Sequence, residues 1–152
     1  MNLFCFPSKN LTNIWAGIGA QKWAVAETSS PNMKSRITKS KRMTVGALGL
    51  LYCSETQSFT TPFLVYSEPD PKEVVTDVWP ERWRLPFRIH ALGDPSRQVH
   101  KDKASLKWPV LVNSSKTSVS AAMNFTGTTI FVPVEITADD WAMMVDDLVT
   151  TR

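Results

Sequence analysis

Short apolar blocks, separated by polar or proline-containing segments, recur along most of the chain, and this pattern is typical of β-strands joined by loops. Each block is about five to nine residues long, which is an ordinary strand length. Pro7 and Ser8 close the first block, and the segment EPDP ends the fourth. The predicted strands are 1–6, 22–26, 48–53, 60–68, 84–92 and 128–136.

The clearest helix is predicted at 137–148, with the sequence TADDWAMMVDDL. Thr137 is a favourable N-cap, and Asp140 at the third helical position completes the pattern of a capping box. Helical spacing places several apolar residues on one face, which is expected to pack on the core. These residues are Trp141, Met144, Val145 and Leu148.

A second helix is predicted within 11–20, LTNIWAGIGA, where Ile14, Trp15 and Ile18 have helical spacing. Its two glycines predict a weak or short helix, since glycine lowers helix propensity. Trp15, like Trp141, lies on a helical stripe, so both indoles are expected to pack in the core.

Two polar regions lack a clear period. Residues 27–42, ETSSPNMKSRITKSKR, are interpreted as a mobile loop, and 94–118 as loop-rich with a possible short strand at 108–112. The strands and helices do not alternate strictly, which favours a small α+β domain with a strongly curved mixed sheet. Five or six strands and two or three helices in 152 residues fit one domain, 1–152.

Composition is that of an ordinary globular protein. Hydrophobic residues make up 43% and charged residues 20%, which excludes wholesale disorder. No apolar run reaches the roughly 18 residues that cross a bilayer, and MNLFCFPSKN lacks a signal-peptide pattern, so a cytoplasmic location is expected. Cys5 and Cys53 lie inside apolar runs and are expected to be small buried hydrophobes.

Charge is unevenly distributed. Residues 1–134 hold 16 Lys and Arg against 9 Asp and Glu, whereas the segment from Glu135 onward holds five acids and one base. A basic body with an acidic C-terminal helix suits a polyanionic partner. Within the basic part, five cations fall in nine residues and favour either a solvated loop or a track for a phosphate backbone. They are Lys34, Arg36, Lys39, Lys41 and Arg42.

Signals for catalysis are weak. The chain has no Cys/His/Asp cluster with metal-ligand spacing and no phosphate-binding glycine loop, so neither a metal nor a cofactor is expected. A loose acidic set, Asp70, Glu73 and Glu81, would be recruited by a nuclease, but such sets occur by chance in basic proteins.

Tryptophan is the more informative residue, with six in the chain. Trp23, Trp79 and Trp83 lie at strand ends or in loops beside Lys22, Arg82 and Arg84. These indoles either cap an open sheet edge or form a stacking pocket for a base, with the cations around its rim.

The order of the segments NLFCFPS, KWAVA, RMTVGALGLLYCS, PFLVYSEPDP and VWPERWRLPFRI resembles an EVE domain. EVE domains belong to the PUA-like superfamily and are relatives of the YTH readers of methyladenine. The resemblance covers almost the whole chain, from Leu3 to Leu148. It implies a small curved mixed sheet, or pseudo-barrel, flanked by two or three helices, with a cavity at its open side.

The same resemblance implies a binding module that flips a modified base into an aromatic cage. Trp23 is similar in position to the first cage residue, and Trp79 or Trp83 to the second. Tyr52, Cys53 and Ser54 match the end of a strand that lines the cavity, and Pro7 with Ser8 matches the turn near its floor. On this basis VWPERW is expected to be a pocket rim.

Three functions are compatible with these features. The first is recognition of 5-methyl- or 5-hydroxymethylcytosine in double-stranded DNA, as the specificity domain of a modification-dependent restriction enzyme with a nuclease or NTPase domain following in a longer protein. The second is an RNA reader of N6-methyladenine or of structured RNA. The third is a stand-alone hydrolase acting on nucleic acid, which metal-dependent cleavage would reveal.

Overall fold

The computed structural model describes residues 1–150, which form eight strands and six α-helices. The strands are β1 (Asn2–Ser8), β2 (Lys22–Ala26), β3 (Leu48–Cys53), β4 (Ser58–Val65), β5 (Val74–Val75), β6 (Trp83–Ala91), β7 (Gln98–His100) and β8 (Val134–Glu135). The helices are α1 (Leu11–Ala20), α2 (Ser30–Ser40), α3 (Lys101–Lys107), α4 (Pro109–Val112), α5 (Val119–Met123) and α6 (Ala138–Leu148).

All eight strands form one curved mixed sheet with the order β2-β6-β4-β3-β1-β8, to which β5 and β7 add at β6 and β4. The pair β1 and β3 is parallel, and the other pairs are antiparallel. Helices flank this sheet. The predicted α+β fold with a curved mixed sheet is therefore confirmed.

Two hydrophobic cores lie on the two faces of the sheet, because successive side chains of a strand point to opposite faces. In β1, Phe4 and Phe6 join one core, and Leu3 and Cys5 join the other. The first core contains Trp23, Trp79 and Trp83 under α1 and α2. The second is covered by α3, α4 and α6.

Two glycines permit close approaches that no larger residue would allow. A Cβ at Gly49 in β3 would lie 2.1 Å from the ring of Phe63, and one at Gly17 in α1 would lie 2.7 Å from the indole of Trp23. The glycine that weakens α1 as an isolated helix is thus the position where Trp23 packs against it. Helix α1 nevertheless runs its full ten residues.

The mobile loop expected at 27–42 is instead largely the helix α2, which begins with Pro31 in its first turn. Met33 and Ile37 are spaced four residues apart and pack on the first core. This short apolar stripe is overshadowed in the sequence by the surrounding cations. Trp15, expected in the core, is 49% exposed on the outer face of α1.

The short strand expected at 108–112 is also wrong. Trp108 ends α3, caps α4 and is fully buried, and Pro109 opens α4 because a proline is tolerated in the first helical turn. The strand expected at 128–136 shrinks to β8, preceded by a 3-10 turn at Gly127–Thr129.

Helix α6 begins and ends where the sequence predicts. The Thr137 side chain accepts a hydrogen bond from the Asp140 N–H, and the Asp140 carboxylate accepts one from the Thr137 N–H at 2.8 Å, which completes the capping box. The other oxygen of Asp140 accepts a hydrogen bond from the N–H of Val110 at 2.7 Å. The cap therefore also ties α6 to α4.

Candidate functional site

A cavity of about 310 Å³ opens where β1 and β2 end and β6 begins. Its walls come from β1, α1, β2, α2 and β6, together with loop residues after β3 and before β8. The lining residues are Pro7, Ser8, Lys9, Asn13, Ala24, Val25, Ala26, Arg36, Ser54, Glu81, Trp83 and Ile130. Most of this wall is apolar, with a few polar groups around it, which is the usual composition of a small-ligand site.

The parallel pairing of β1 and β3 positions one wall of the cavity. The strands end together, with Ser8 opposite Cys53, and the N–H of Ser54 donates to the Ser8 carbonyl at 2.8 Å. Ser8 is buried, and its hydroxyl donates to the Asn10 carbonyl at 2.8 Å. The structure thus places Ser8 and Ser54, two residues of the predicted base-binding pocket, in the lining of the same cavity.

Asn13, in the first turn of α1, is a polar wall residue that sequence reasoning missed. It is 4% exposed, and its backbone N–H donates to the side chain of the N-cap Asn10 at 2.8 Å. Its side-chain amide makes no hydrogen bond to any other described residue. An amide offers both a donor and an acceptor, so Asn13 is a candidate to bind a ligand in the cavity that it lines.

The three predicted cage tryptophans form one compact cluster. Trp79 and Trp83 stack with ring centroids 4.3 Å apart and 16° between their planes, and Trp23 meets each edge-on at 5.4 Å. A base inserted between two parallel rings needs about 7 Å, twice the carbon contact distance. In this structure no indole pair is therefore open to sandwich a base.

Within this cluster Trp83 lines the cavity, whereas Trp23 and Trp79 lie behind it in the core. The indole N–H of Trp79 donates to the Asn13 carbonyl at 2.9 Å. Trp79 thus contacts both Asn13 and Trp83, which belong to different walls. The indole nitrogens of Trp23 and Trp83 are buried without a hydrogen-bond partner in the described residues.

The segment VWPERW therefore has two environments. Its C-terminal part lines the cavity, and its N-terminal part lies in the first core. Trp83 and Glu81 line the cavity, whereas Trp79 lies in the first core and does not. This answers which of the two tryptophans faces the opening. The placement of Trp79 and Trp23 differs from the predicted cage because both indoles are needed to fill the first core beneath α1.

Tyr52 and Cys53 do not reach the cavity either. Tyr52 lies in the second core, stacked on Phe125 with centroids 4.4 Å apart, and burial raises the pKa of its hydroxyl. Cys53 is fully buried in the first core. Both cysteines are free and buried, as expected, and burial raises the pKa of the Cys5 thiol.

Of the basic cluster, Arg36 is the member that lines the cavity. Its guanidinium donates to the Ala26 carbonyl at 3.1 Å, and partial burial lowers its pKa. Lys39 donates to the carbonyl of Thr128. Lys34, Lys41 and Arg42 are exposed on α2 and on the turn that follows it.

The cations beside the tryptophans have other contacts. Arg82 pairs with Glu27 at 3.0 Å, and Arg84 pairs with the same carboxylate at 3.4 Å, so Glu27 neutralises part of their charge. Lys22 lies at the opposite end of β2, in the wall of a separate cavity. These three side chains therefore do not surround the first cavity.

Other wall residues were also missed. Lys9, Ile130 and Glu81 join the cavity from three separate segments. For Asn13 the sequence does hold a signal: Asn10 followed three residues later by Asn13 at the start of a helix is the spacing of an N-cap and its N3 position. No signal of this kind marks Ile130, which arrives from a distant segment.

Within residues 1–150, no group of three or more His, Cys, Asp or Glu side chains is arranged to hold a metal ion. Over the same residues, no helix is both long and apolar enough to cross a membrane.

The fold matches solved YTH domains. The YTH domain of Zygosaccharomyces rouxii MRB1, solved in complex with N6-methyladenosine RNA, aligns over 99% of this chain and 89% of its own, with a TM-score of 0.58 and 15% identity. The Mmi1 YTH domain aligns over 96% and 93%, with a TM-score of 0.57 and 13% identity. The chain spans 58% of a Toxoplasma CPSF4 YTH-domain chain at 23% identity, with a TM-score of 0.45.

At these identities the likeness establishes the fold, and the expected relation to the YTH fold is confirmed at that level. No protein-family model matches the chain, and no curated protein matches it in sequence.

Proposed function

We propose that this domain is a binding module that reads N6-methyladenine in single-stranded RNA. The observation that carries the proposal is the cavity, which joins the indole of Trp83 to the unpaired amide of Asn13 at one end of a YTH-like sheet. A flat apolar surface beside a hydrogen-bonding amide is what a flipped purine requires.

Each wall has a role in this proposal. The base stacks on Trp83, and the Asn13 amide hydrogen-bonds to the base edge. Ala24, Val25 and Ile130 provide apolar surface for the methyl group. Arg36 lies at the wall as a cation for an adjoining phosphate, and the exposed Lys34 and Lys41 extend the positive charge along α2.

The tryptophan stack sets the geometry of binding. Because Trp79 covers one face of Trp83, a base stacks on the other face, with Trp79 as backing. Trp23 supports both rings from the side. The aromatic cage predicted from the sequence is thus proposed to act as one indole that lines the cavity, Trp83, supported by two indoles behind it in the core.

Two observations favour RNA over DNA as the proposed ligand. The fold neighbour MRB1 was solved with N6-methyladenosine RNA, and a base in a single strand needs no unpairing, so its capture costs less than extrusion from a duplex. The reading of 5-methylcytosine in a restriction system has no comparable support. It becomes an outcome of the binding test.

The energies are sufficient for a moderately selective reader. Stacking on an aromatic ring contributes about 1–3 kcal/mol per base, and one methyl in an apolar pocket contributes about 1–3 kcal/mol of discrimination. We therefore expect methylated RNA to bind about 5- to 150-fold more tightly than unmethylated RNA.

Competition binding at fixed salt tests the proposal. The competitors are one short RNA with adenine or N6-methyladenine and one DNA duplex with cytosine or 5-methylcytosine. Asn13→Ala and Trp83→Ala should each weaken binding of methylated RNA about tenfold or more, and Trp15→Ala is the matched control, since Trp15 is exposed and outside the cavity.

Circular dichroism and thermal melting establish that each variant is folded. Equal binding to all four nucleic acids would reject a modified-base reader. Preference for the 5-methylcytosine duplex would replace the RNA proposal with the DNA one. Folded Asn13→Ala and Trp83→Ala proteins that retain wild-type affinity would show that the cavity is not the site.

A further inference from the structure

A second polar cavity lies at the opposite end of β2 and β6. Its volume is about 540 Å³, and it shares no residue with the first cavity. The sheet contributes Lys22, Pro86, Phe87 and Arg88, and the loop after β4 contributes Ser67, Glu68, Asp70 and Glu73. Ala20, at the end of α1, completes the lining.

The strand register aligns a row of three side chains here. Lys22 in β2 is directly opposite Arg88 in β6. Tyr66, the residue after β4, is next to Arg88 on the side away from Lys22. Its backbone N–H donates a hydrogen bond to the Arg88 carbonyl at 2.8 Å. Two cations and an aromatic ring therefore occupy neighbouring positions across the sheet.

The two cations line the same cavity as three loop carboxylates but form no ion pair with them. Like charges directly opposite each other on neighbouring strands are destabilising. Neither Lys22 nor Arg88 forms a salt bridge with a carboxylate of the described residues. An anion held between them would relieve this repulsion.

Tyr66 provides a stacking surface next to these cations. It is 55% exposed and stacks on His90, the next outward-facing residue of β6, with centroids 5.5 Å apart and 26° between the planes. An exposed tyrosine supported on one face by a second ring is a suitable platform for a base.

Besides the two cations and the aromatic ring, the loop after β4 contributes carboxylates to this site. Glu68, Asp70 and Glu73 accept hydrogen bonds and disfavour a free anion, so a bare phosphate does not suit the whole cavity. A nucleotide does, because its phosphate suits Lys22 and Arg88 while the amino group of its base donates to a carboxylate. The cavity is within the usual range of ligand-site volumes.

We propose that this second cavity, together with Tyr66, binds another nucleotide of the same RNA strand, one whose base carries an exocyclic amino group. The inference rests on the proposed function for its ligand class. Lys22 and Val25, which belong to the two cavities, are three residues apart on β2, or roughly 10 Å along a strand. A few nucleotides of single strand span that separation.

The test compares two ligands on the same variants. N6-methyladenosine nucleoside fills the first cavity alone, and an RNA of about nine nucleotides with a central N6-methyladenosine reaches both, within the roughly 4–16 nucleotides that single-stranded sites cover. The variants are Tyr66→Ala and Arg88→Ala, both at exposed positions. Trp15→Ala and Lys103→Ala are the aromatic and charge-matched controls.

We expect each test variant to weaken binding of the longer RNA about tenfold and to leave nucleoside affinity unchanged. Arg88→Ala should also reduce the salt slope of RNA binding by about 0.7, the loss of one phosphate contact on a single strand. RNA with uracil at every flanking position lacks the exocyclic amino groups and should bind the wild type less tightly than RNA with adenine or cytosine at those positions.

Unchanged affinity of both variants for the longer RNA would overturn the second site. An equal loss of nucleoside and RNA binding would overturn it too, since the residues would then act through the first cavity. If the wild type shows no preference for methylation but the variants still lose RNA affinity, the proposed modified-base function fails while the second nucleotide site stands.

Discussion

The contact between Trp79 and Asn13 leads to a prediction that separates support of the cavity from contact with the ligand. Trp79 is 3% exposed and lies outside the cavity lining, but its indole N–H holds the Asn13 carbonyl at 2.9 Å. Trp79→Phe keeps an aromatic ring beside Trp83 and removes this donor. We expect the change to lower both stability and selectivity.

The size of the effect follows from one broken hydrogen bond and a smaller aromatic ring. Leaving a buried carbonyl without its donor costs about 1–3 kcal/mol, and replacing an indole by a smaller ring leaves unfilled space that adds to the cost. A total near 2 kcal/mol corresponds to a fall in Tm of about 4–8 °C for a domain of this size. Asn13 would lose its fixed position, so the preference for methylated over unmethylated RNA should fall about fivefold, which corresponds to about 1 kcal/mol.

Thermal melting and paired titrations with the two RNAs measure these effects. Trp15→Phe is the control, because Trp15 is exposed and donates no hydrogen bond to the described residues. The reasoning is refuted if Trp79→Phe keeps the wild-type Tm, or if it lowers the Tm while the methyl preference stays intact. In the second case Asn13 would not depend on Trp79.

Two further predictions concern stability. Gly49→Ala should destabilise the fold by about 1–3 kcal/mol or prevent folding, because its Cβ would lie 2.1 Å from the Phe63 ring; a wild-type urea midpoint would contradict this. Burial disfavours the Asp147 carboxylate, but hydrogen bonds from Lys107 and Trp108 outweigh burial and lower its pKa below 3.8. Its stabilisation is therefore complete above the unfolded-state pKa and lost as the pH falls through the folded-state pKa. Urea titrations from pH 6 to 2 should show a smaller loss of stability for Asp147→Asn than for wild type, and equal losses would contradict the assignment.

The predictable parts of the fold were those with a local cause. The capping box of Thr137 and Asp140 and the apolar stripe behind it define α6 from neighbouring residues alone. The long apolar blocks became the central strands for the same reason. Helix α2 was missed because its two core contacts, Met33 and Ile37, are supplied by tertiary packing rather than by a strong amphipathic pattern.

The site was harder to predict because its residues meet only in the folded chain. Ser8 and Ser54 were assigned through the resemblance, which matches them to a turn and a strand end near the cavity; in the structure Ser8 ends β1 and Ser54 follows β3. Which side of a strand Tyr52 faces depends on register, and one step moves a side chain to the opposite core. Whether an indole lines the cavity, as Trp83 does, or lies behind it, as Trp79 does, depends on how the neighbouring side chains pack.

The position of β1 in the sheet has a consequence for the order in which the chain can fold. This first strand lies between β3 and β8, and it pairs Asn2 with Glu135 near the other end of the described chain. During synthesis its outer edge has no partner until almost the entire chain has been made. Exposed strand edges promote aggregation, and pairing between such distant residues slows folding. A chain interrupted before Val134 should therefore self-associate, even though it already contains every residue of the first cavity.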